Sequence, residues 1–379
     1  MRLVVCGSAP HERWPVPTVP PTPAAYCCNS TLFADNGLVW LRGRYTGGVT
    51  DHTANPERTT VNPQLLNIMV LAGGPDCERD VSLQSGEQVA SALRTFGHRV
   101  RLRDIGPEHL GAIDQFLRWP GDVMFCALHG KWGEGGEVQR LLEQHGIPFV
   151  GCGAAAATRC MDKARTKRVL CDSNLPTAPF ELLKIDDQPR LEPPVVVKPT
   201  HEGSSIDLAI CRNWPELDAA RKRLHTRHAT LMIERYIEGS EIAVGIVGGF
   251  DKGERALPAI QIVPATDFYD YDAKYVRNDT RYLFDDQSNL PPEVYRQCEA
   301  LALMAHRILG ACDLSRVDLI VDRLLQPWIL ELNTIPGFTT HSLVPMAASR
   351  IGMDMPALVN QLARLADKTK RPSPAIAPL

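Results

Sequence analysis

Short apolar runs alternate with stretches of helical periodicity between residues 67 and 150. Ile68–Leu71 and Val123–Leu128 are continuous apolar runs typical of buried strands, and each ends at polar or glycine residues. Between them, apolar positions recur at helical spacing over 81–96, and Gly97 is the expected residue beyond the helix end. Strands that alternate with helices predict an open parallel α/β sheet, which binds ligands at the carboxyl ends of its strands.

The pattern changes after Gly153. The spacing predicts one helix over 154–170 and a last long helix over 294–309. Between these helices, apolar runs predict strands at 195–198, 206–210, 231–237, 241–247 and 256–263. Strands that follow one another in this way predict an antiparallel lid domain. The predicted domains are therefore 63–153, 154–233 and 234–379.

Two apolar runs near the end of the chain, 316–321 and 328–333, predict a hairpin with its turn at 322–327. Strand side chains alternate between faces, so Arg316 and Asp318 share one face, and Glu331 and Asn333 share one face of the second run. If these faces coincide, they form an oxygen-rich set that suits Mg²⁺ and predicts a Mg²⁺-nucleotide enzyme. The apolar neighbours are expected in the core: Val317, Leu319, Leu330 and Leu332.

The hairpin carboxylates also have a simpler interpretation, because a single acidic side chain on a strand is usually solvated. However, Glu331 lies inside an apolar run, where an unpaired buried carboxylate would cost free energy. Asn333 and the segment 336–343 follow, and the Pro336-Gly337 turn allows the backbone to approach a small ligand closely. The combination favours a binding site.

The bulk composition excludes several classes of protein. With 379 residues, of which 44% are hydrophobic and 22% charged, the chain can form two or three domains. The net charge of −3 gives no electrostatic reason to expect nucleic acid or an anionic membrane as a partner. No apolar run approaches the ~20 residues of a membrane-spanning helix. Eleven cysteines without a Cys-x-x-Cys pair are typical of reduced thiols, which predicts a cytoplasmic enzyme.

Residues 1–62 differ from the rest of the chain. They are rich in proline between Pro15 and Pro23 and lack an amphipathic period. This composition predicts a disordered or loosely attached extension. A regulatory tail is the functional alternative.

Several polar residues at predicted strand ends are candidates for ligand binding. Lys198 ends an apolar strand and would face either a phosphate or, as a snorkelling side chain, the solvent. The loop 202–205 offers backbone N–H groups and two hydroxyls that could cradle a phosphate. Glu78 could hold an ammonium group or complement a helix dipole. His129 could orient a substrate or a catalytic group, or be a hydrogen-bonded structural histidine. No Walker A motif occurs, so a nucleotide site must be of another type.

Together these residues resemble the D-alanine–D-alanine ligase family, which has the ATP-grasp fold, over about residues 67–365. The resemblance implies an N-terminal open parallel α/β domain, a central lid domain and a C-terminal catalytic domain. The matching blocks are Gly73-Gly74, Glu78, Val81-Ser82, Ser85-Gly86, Ala127 to Gly130, Met161 to Lys163, Val197 to Pro199, Glu202 to Ser205, Glu234, Glu241, Phe268 to Tyr275, Arg316-x-Asp318 and Glu331-x-Asn333 through Pro345.

The family's chemistry implies a role for each matching residue. ATP phosphorylates the carboxylate of one D-alanine, and the amine of a second attacks the acyl phosphate. ATP would be held by Lys163, Lys198, Glu202, Ser205, Glu234, Glu241 and Lys274. Two Mg²⁺ ions, or Mn²⁺ in their place, would be bound by Asp318, Glu331 and Asn333. The substrate would contact Val81, His129, Ser342 and Leu343. The catalytic set would be Glu78, Ser204, Tyr275, Arg316 and Gly337.

Three positions depart from the family pattern: Asp76 replaces a frequent Ser, Phe338 a frequent Met, and Asp207 a usual Gly. An anion at Asp207 would repel ATP unless strand alternation turns it outward. The predicted activity is synthesis of D-alanyl-D-alanine for cell-wall precursors. D-Serine or D-lactate as second substrate, or a nucleotide-binding scaffold without turnover, are alternatives, although Tyr275 favours an amine acceptor. The resemblance also admits a homodimer.

Overall fold

Three β-sheets with helices packed around them form the part of the chain that the computed structural model describes, residues 64–203, 206–251, 253–265 and 279–368. The strands are β1 (Asn67–Gly73), β2 (Arg99–Ile105), β3 (Val123–Cys126), β4 (Phe149–Val150), β5 (Phe180–Leu183), β6 (Val195–Pro199), β7 (Ala209–Cys211), β8 (Leu231–Arg235), β9 (Gly239–Phe250), β10 (Gly253–Ala256), β11 (Ile260–Val263), β12 (Arg281–Leu283), β13 (Leu314–Asp322) and β14 (Pro327–Asn333). The helices are α1 (Arg79–Thr95), α2 (Gly111–Arg118), α3 (Gly130–Glu134), α4 (Glu137–Gln144), α5 (Ala154–Met161), α6 (Lys163–Asp172), α7 (Trp214–Leu224), α8 (Pro292–Ile308), α9 (Leu343–Arg350) and α10 (Met355–Lys368).

The first sheet is parallel with strand order β2-β1-β3-β4, as the alternation of strands and helices predicts. Residues of β1 alternate between two separate core clusters, so both faces of the strand are covered by helices. Gly97 has φ of 82° directly after the last residue of α1 and its cap, which confirms its predicted place at the helix end. The predicted α/β class is confirmed.

The other two sheets are antiparallel. The second has the order β5-β8-β6-β7 and packs against the apolar side of α7. The third has six strands in the order β12-β11-β9-β13-β14, with β10 paired to β9, and packs against α8. The domain boundaries stay a prediction, and the one between residues 233 and 234 falls inside β8.

Three predicted elements have different bounds in the structure. The helix predicted over 154–170 is two helices, because Asp162 is extended and its side chain caps α6 by accepting from Arg165 N at 3.1 Å. The strand predicted over 206–210 was wrong, since Asp207 has φ of 56° in a turn and only 209–211 pair as β7. The strand predicted over 256–263 is β10 and β11, which Pro258 separates because it lacks an N–H to donate.

The predicted hairpin is β13 and β14, and its register pairs Arg316 with Asn333 and Asp318 with Glu331. A β-bulge follows, because Leu319 pairs with Ile329 and leaves Leu330 without a partner residue in the ladder. Ile329 is therefore buried, whereas Leu330 is half-buried and faces the same cleft as Glu331. The expectation that Leu330 points into the core was wrong, and the bulge is the reason.

A buried histidine joins α8 to the third sheet. His306 is fully buried, and its Nδ1 lies 2.7 Å from Ser315 Oγ. Burial lowers the pKa of His306 to about 4, against an ordinary value of 6.5. The folded state therefore binds fewer protons than the unfolded state between these two pH values.

Stability is expected to fall as the pH drops through this window. The contribution of His306 is fully present above pH 6.5, and the free energy of unfolding loses about 2.5 kcal/mol between pH 7.5 and 4.5. Urea unfolding of the wild type and of His306→Gln, which keeps a polar group but does not titrate, measures the difference in slope. Equal pH slopes for the two proteins would contradict this assignment.

Within the described ranges, no helix is both long and apolar enough to cross a bilayer.

Candidate active site

A cleft of about 270 Å³ lies where strands of the two antiparallel sheets meet the ends of the parallel sheet. It is bordered by β6 and β8 of the second sheet, by β9, β13 and β14 of the third, and by the start of α1. These predicted residues line it: Glu78, His129, Lys163, Lys198, Glu202, Glu234, Glu241, Arg316, Asp318, Glu331, Asn333, Gly337, Ser342 and Leu343.

The remaining predicted residues are not in this set. Val81 is buried in α1 and is not among the described residues that line the cleft. Ser204, Ser205, Lys274 and Tyr275 lie outside the described residues, as do the segment 268–275 and the extension 1–62. Their assigned roles stay predictions.

The open end of the β13–β14 hairpin, opposite its turn, forms the acidic side of the cleft. Arg316 holds Asp318 in a two-point ion pair, with Nε–Oδ1 at 2.7 Å and Nη2–Oδ2 at 2.8 Å. Glu331 lies opposite Asp318 in the register, and its Oε2 is 3.2 Å from Lys163 Nζ. The side-chain oxygen of Asn333 accepts from Ile335 N at 2.9 Å, which fixes the amide with its oxygen as an acceptor.

The donor chemistry at this end of the hairpin fits a hard divalent cation. Asp318, Glu331 and Asn333 present only oxygen ligands on adjacent strands, and Mg²⁺ prefers oxygen ligands. No three His, Cys, Asp or Glu side chains in the described part of the chain are grouped so that they could hold a metal. The third protein donor here is an amide, and a substrate phosphate would complete the shell.

Two lysines converge on one buried carboxylate deeper in the cleft. Glu234 is 3% exposed and contacts Lys198 Nζ through Oε1 and Lys167 Nζ, at 2.9 Å, through Oε2. Burial by itself would raise the pKa of Glu234, but the two ammonium groups outweigh it and lower the pKa to about 2. Lys198 is therefore paired at the end of its strand, and it is not a snorkelling surface side chain.

Lys163 lies at the start of α6 beside the segment after β6. Its Nζ donates to the carbonyl oxygen of Glu202 at 2.7 Å, in addition to its contact with Glu331. The backbone N–H of Lys163 donates to Thr200 O at 3.0 Å. This lysine thus connects the acidic hairpin to the loop that precedes Gly203.

Glu78 occupies the N-cap position of α1, but its carboxylate makes no capping hydrogen bond to the helix. The side chain is 6% exposed and lines the cleft. A Cβ built on Gly203 would lie 3.4 Å from Glu78 Oε2, so the backbone of that loop approaches the carboxylate closely. Glu78 therefore lies at the helix N-terminus and in the cleft at once, and its ligand-binding role stays a prediction.

His129 is both buried and hydrogen-bonded at the edge of the cleft. Its Nε2 lies 3.2 Å from Ser85 Oγ and its Nδ1 lies 3.3 Å from Glu134 Oε1. Glu134 also accepts from Gly130 N, and burial raises its pKa although His129 opposes the shift. Sequence reasoning missed Glu134, which ends the short helix α3 that begins directly after His129; its signal was the five-residue spacing from His129, with two glycines between them.

The segment after β14 forms the far wall of the cleft. Ser342 precedes α9, and its Oγ accepts from Thr339 N at 2.8 Å. A Cβ on Gly337 would lie 2.8 Å from that same Oγ, so only glycine fits without displacing it. Gly337, Thr339 and Ser342 line the cleft, so the backbone of this segment borders a ligand bound there.

The three departures from the family pattern have local explanations. Asp76 accepts from Trp132 N at 2.9 Å, and Trp132 lies in α3, three residues after His129. Phe338 is buried and packs edge-on against Phe125, with ring centroids 5.4 Å apart. Asp207 contacts Arg227 at 2.5 Å and His228 at 2.7 Å. Asp207 itself has a left-handed backbone conformation in a turn, and this conformation, not strand alternation, points its carboxylate at the segment after α7.

The Asp207 carboxylate is therefore expected to have little effect on ATP. In Asp207→Gly, which tolerates the φ of 56°, the ATP dissociation constant is expected to stay within about threefold of wild type, ~0.7 kcal/mol. Isothermal titration with ATP measures this change, and Asp207→Asn is the control that removes only the charge. Tenfold tighter ATP binding to both variants would show that the carboxylate repels the nucleotide.

Comparison with known proteins gives consistent matches. The model for the D-ala D-ala ligase N-terminus matches residues 102–152, and that for the D-ala D-ala ligase C-terminus matches residues 175–364. The D-alanine–D-alanine ligase of Bordetella parapertussis is 40% identical over 321 residues, which cover 83% of this chain and 99% of that protein. The ligase of Laribacter hongkongensis is 40% identical over 309 residues, covering 79% and 96%.

Solved structures agree with these relatives. The crystal structure of D-alanine–D-alanine ligase from Bacillus anthracis complexed with ATP matches with a TM-score of 0.68 and 29% identity, covering 80% of this chain and 97% of that one. The ligase from Coxiella burnetii matches with a TM-score of 0.67 at 24% identity, which supports the fold.

Proposed function

This chain belongs to the D-alanine–D-alanine ligase family, with its ATP-grasp fold, and from that premise we propose that it joins two D-alanine molecules at the expense of ATP, in the cytoplasm, for peptidoglycan precursors. One observation carries the proposal. The register of β13 and β14 brings Arg316, Asp318, Glu331 and Asn333 to the same cleft that Glu78, Lys163 and Lys198 line.

The two lysines are assigned to the phosphates of ATP. Both ammonium groups are held by carboxylates at the cleft, Lys163 by Glu331 and Lys198 by Glu234. Opposite charges in a shielded site attract more strongly than in water, so a polyphosphate competes well for these cations. The apolar residues Ile206, Leu208 and Ile210 line the same cleft and suit the face of a purine.

Asp318, Glu331 and Asn333 are assigned to Mg²⁺, which when bound would offset negative charge on the phosphates of the substrate. The guanidinium of Arg316 donates to both oxygens of Asp318 and keeps this carboxylate oriented toward the cleft. Glu331 and Asn333 are held by Lys163 and by the backbone at Ile335. The ligand set is thus oriented by contacts within the protein.

The amino-acid end of the reaction is assigned to Glu78, Arg316 and the turn at Gly337. The carboxylate of Glu78 would hold the ammonium of the first D-alanine near the loop backbone at Gly203. Arg316 and the Gly337 N–H would stabilise the oxyanion that forms when the second amine attacks. Ser342 and Leu343, beside Gly337, would bind the carboxylate of the second substrate.

The test is to incubate the purified protein with Mg²⁺-ATP and D-alanine and to follow phosphate release together with product mass. Phosphate and D-alanyl-D-alanine in equal amounts are expected, with no phosphate when D-alanine is left out. The same assay with D-serine or D-lactate as acceptor defines the second substrate. ATP binding without any product would contradict the proposal and favour a scaffold.

A further inference from the structure

The fully buried Lys167 lies behind the proposed nucleotide site and has no role in the reaction described above. It is 0% exposed and is one helical turn beyond Lys163 on α6. Its ammonium group lies 2.9 Å from Glu234 Oε2 and donates to Thr177 Oγ1 at 2.7 Å. The ring of Phe180 is 5.5 Å away. Burying an ammonium group costs solvation free energy. The ion pair with Glu234 offsets this cost and explains why Lys167 is tolerated in the interior.

The two lysines paired with Glu234 differ in their access to the cleft, and this difference affects ligand binding. One carboxylate is shared by two cations, of which Lys198 reaches the cleft and Lys167 does not line it. If Lys198 moves to a phosphate, a carboxylate paired with Lys198 alone would be left buried and uncompensated. Such a group is costly, and the cost would be subtracted from the phosphate's affinity.

We propose that Lys167 is a positioning residue for nucleotide binding: it is the resident counter-ion of Glu234, and it releases Lys198 to bind a phosphate. The proposal deepens the ATP-binding role given above and rests on it. With Lys167 in place, the transfer of Lys198 leaves a neutral Lys167–Glu234 pair. Without it, the transfer would separate the only opposite charges of the buried cluster.

The surroundings of Lys167 support a fixed counter-ion. The Thr177 hydroxyl in turn donates to Ile329 O at 2.8 Å, and Ile329 N donates to Pro176 O at 2.8 Å. Ile329 is in β14, two residues before Glu331. The ammonium group is therefore anchored to the strand that carries the acidic side of the cleft, and it cannot follow Lys198 toward the ligand.

The experiment compares ATP with adenosine, which lacks phosphates, as ligands of the full-length protein. In Lys167→Met, the ATP dissociation constant is expected to rise at least tenfold, ~1.4 kcal/mol, while that of adenosine changes less than about twofold. Lys167→Gln, which keeps a donor for Glu234 but no charge, is expected to give the same split. Calorimetry or displacement of a fluorescent nucleotide provides both constants.

Two further variants complete the test. In a Glu234→Gln background, Lys167→Met is expected to change ATP affinity less than about threefold, because no buried anion is left to compensate. Phe180→Leu removes the ring near Lys167 but keeps the charge of Lys167 and its hydrogen bond to Thr177, so it is the control and is expected to leave ATP affinity near wild type.

Equal losses for ATP and adenosine, or no loss of ATP affinity, would overturn the counter-ion role, because a purely structural lysine would not distinguish the two ligands. A wild-type protein that does not bind ATP would overturn the proposed function itself, so the two failures can be told apart.

Discussion

We expect Glu331→Gln to lower the D-alanine-dependent release of phosphate from ATP by about 10³-fold, equivalent to ~4 kcal/mol of activation free energy. The substitution keeps the size of the side chain and removes its charge. It therefore removes one proposed metal ligand and the partner that holds Lys163 at 3.2 Å. The Mg²⁺ concentration at half-maximal activity is expected to rise at the same time. Steady-state phosphate assays over a Mg²⁺ series measure both quantities.

A carboxylate at the other end of the same hairpin is the control. Asp322 accepts from Leu324 N, Gln326 N and Trp328 Nε1 at 2.8 to 2.9 Å and does not line the cleft. Asp322→Asn weakens the turn, so it is expected to reduce stability by about 1 kcal/mol and to leave kcat unchanged. If Glu331→Gln retained more than a tenth of wild-type turnover, Glu331 would not be a ligand of the catalytic metal.

We expect Arg316→Met to lower kcat by about 10²- to 10³-fold, with a much smaller change in the KM for ATP. Arg316 is proposed to act on the oxyanion of the second step, and it also holds Asp318 by two hydrogen bonds. Methionine has similar length but no charge. The loss is therefore expected mainly in the chemical step, which single-turnover measurements separate from binding.

Arg316→Lys divides the effect into charge and geometry. Lysine keeps the charge but cannot make the two-point contact with Asp318, so about tenfold of the lost activity is expected to return. Arg323, on the same hairpin and 76% exposed in its ion pair with Glu238, provides the control. Arg323→Met is expected to be near wild type, since exposed ion pairs contribute little. Equal kcat values for Arg316→Met and wild type would exclude the oxyanion role.

The sequence predicted those features that depend on strict periodicity. The parallel sheet follows from continuous apolar runs such as Ile68–Leu71 separated by helical spacing, and it is confirmed. The shared face of Arg316 and Asp318 follows from strand alternation, and the register places Asn333 and Glu331 opposite them. Periodic signals of this kind are set locally and do not depend on the rest of the fold.

Other features depend on tertiary contacts that one sequence does not reveal. Lys167 is four residues from Lys163, a spacing that is typical of an exposed helix face, and only packing shows that it is fully buried. The bulge at Leu330 has no signature, because Ile329 and Leu330 are equally apolar. Strand β2 was not predicted from the sequence. Its arginines at 99, 101 and 103 alternate with Val100 and Leu102, a pattern typical of a charged edge strand.

The bulge in β14 also determines which kind of molecule the hairpin can recognise. In a regular strand, Leu330 would lie on the same side as Leu332 and away from Glu331. With the bulge, both consecutive side chains line the cleft. The strand thus offers a hydrophobic contact and a charged contact a single residue apart, which matches a ligand that is flat and apolar at one end and highly ionic at the other.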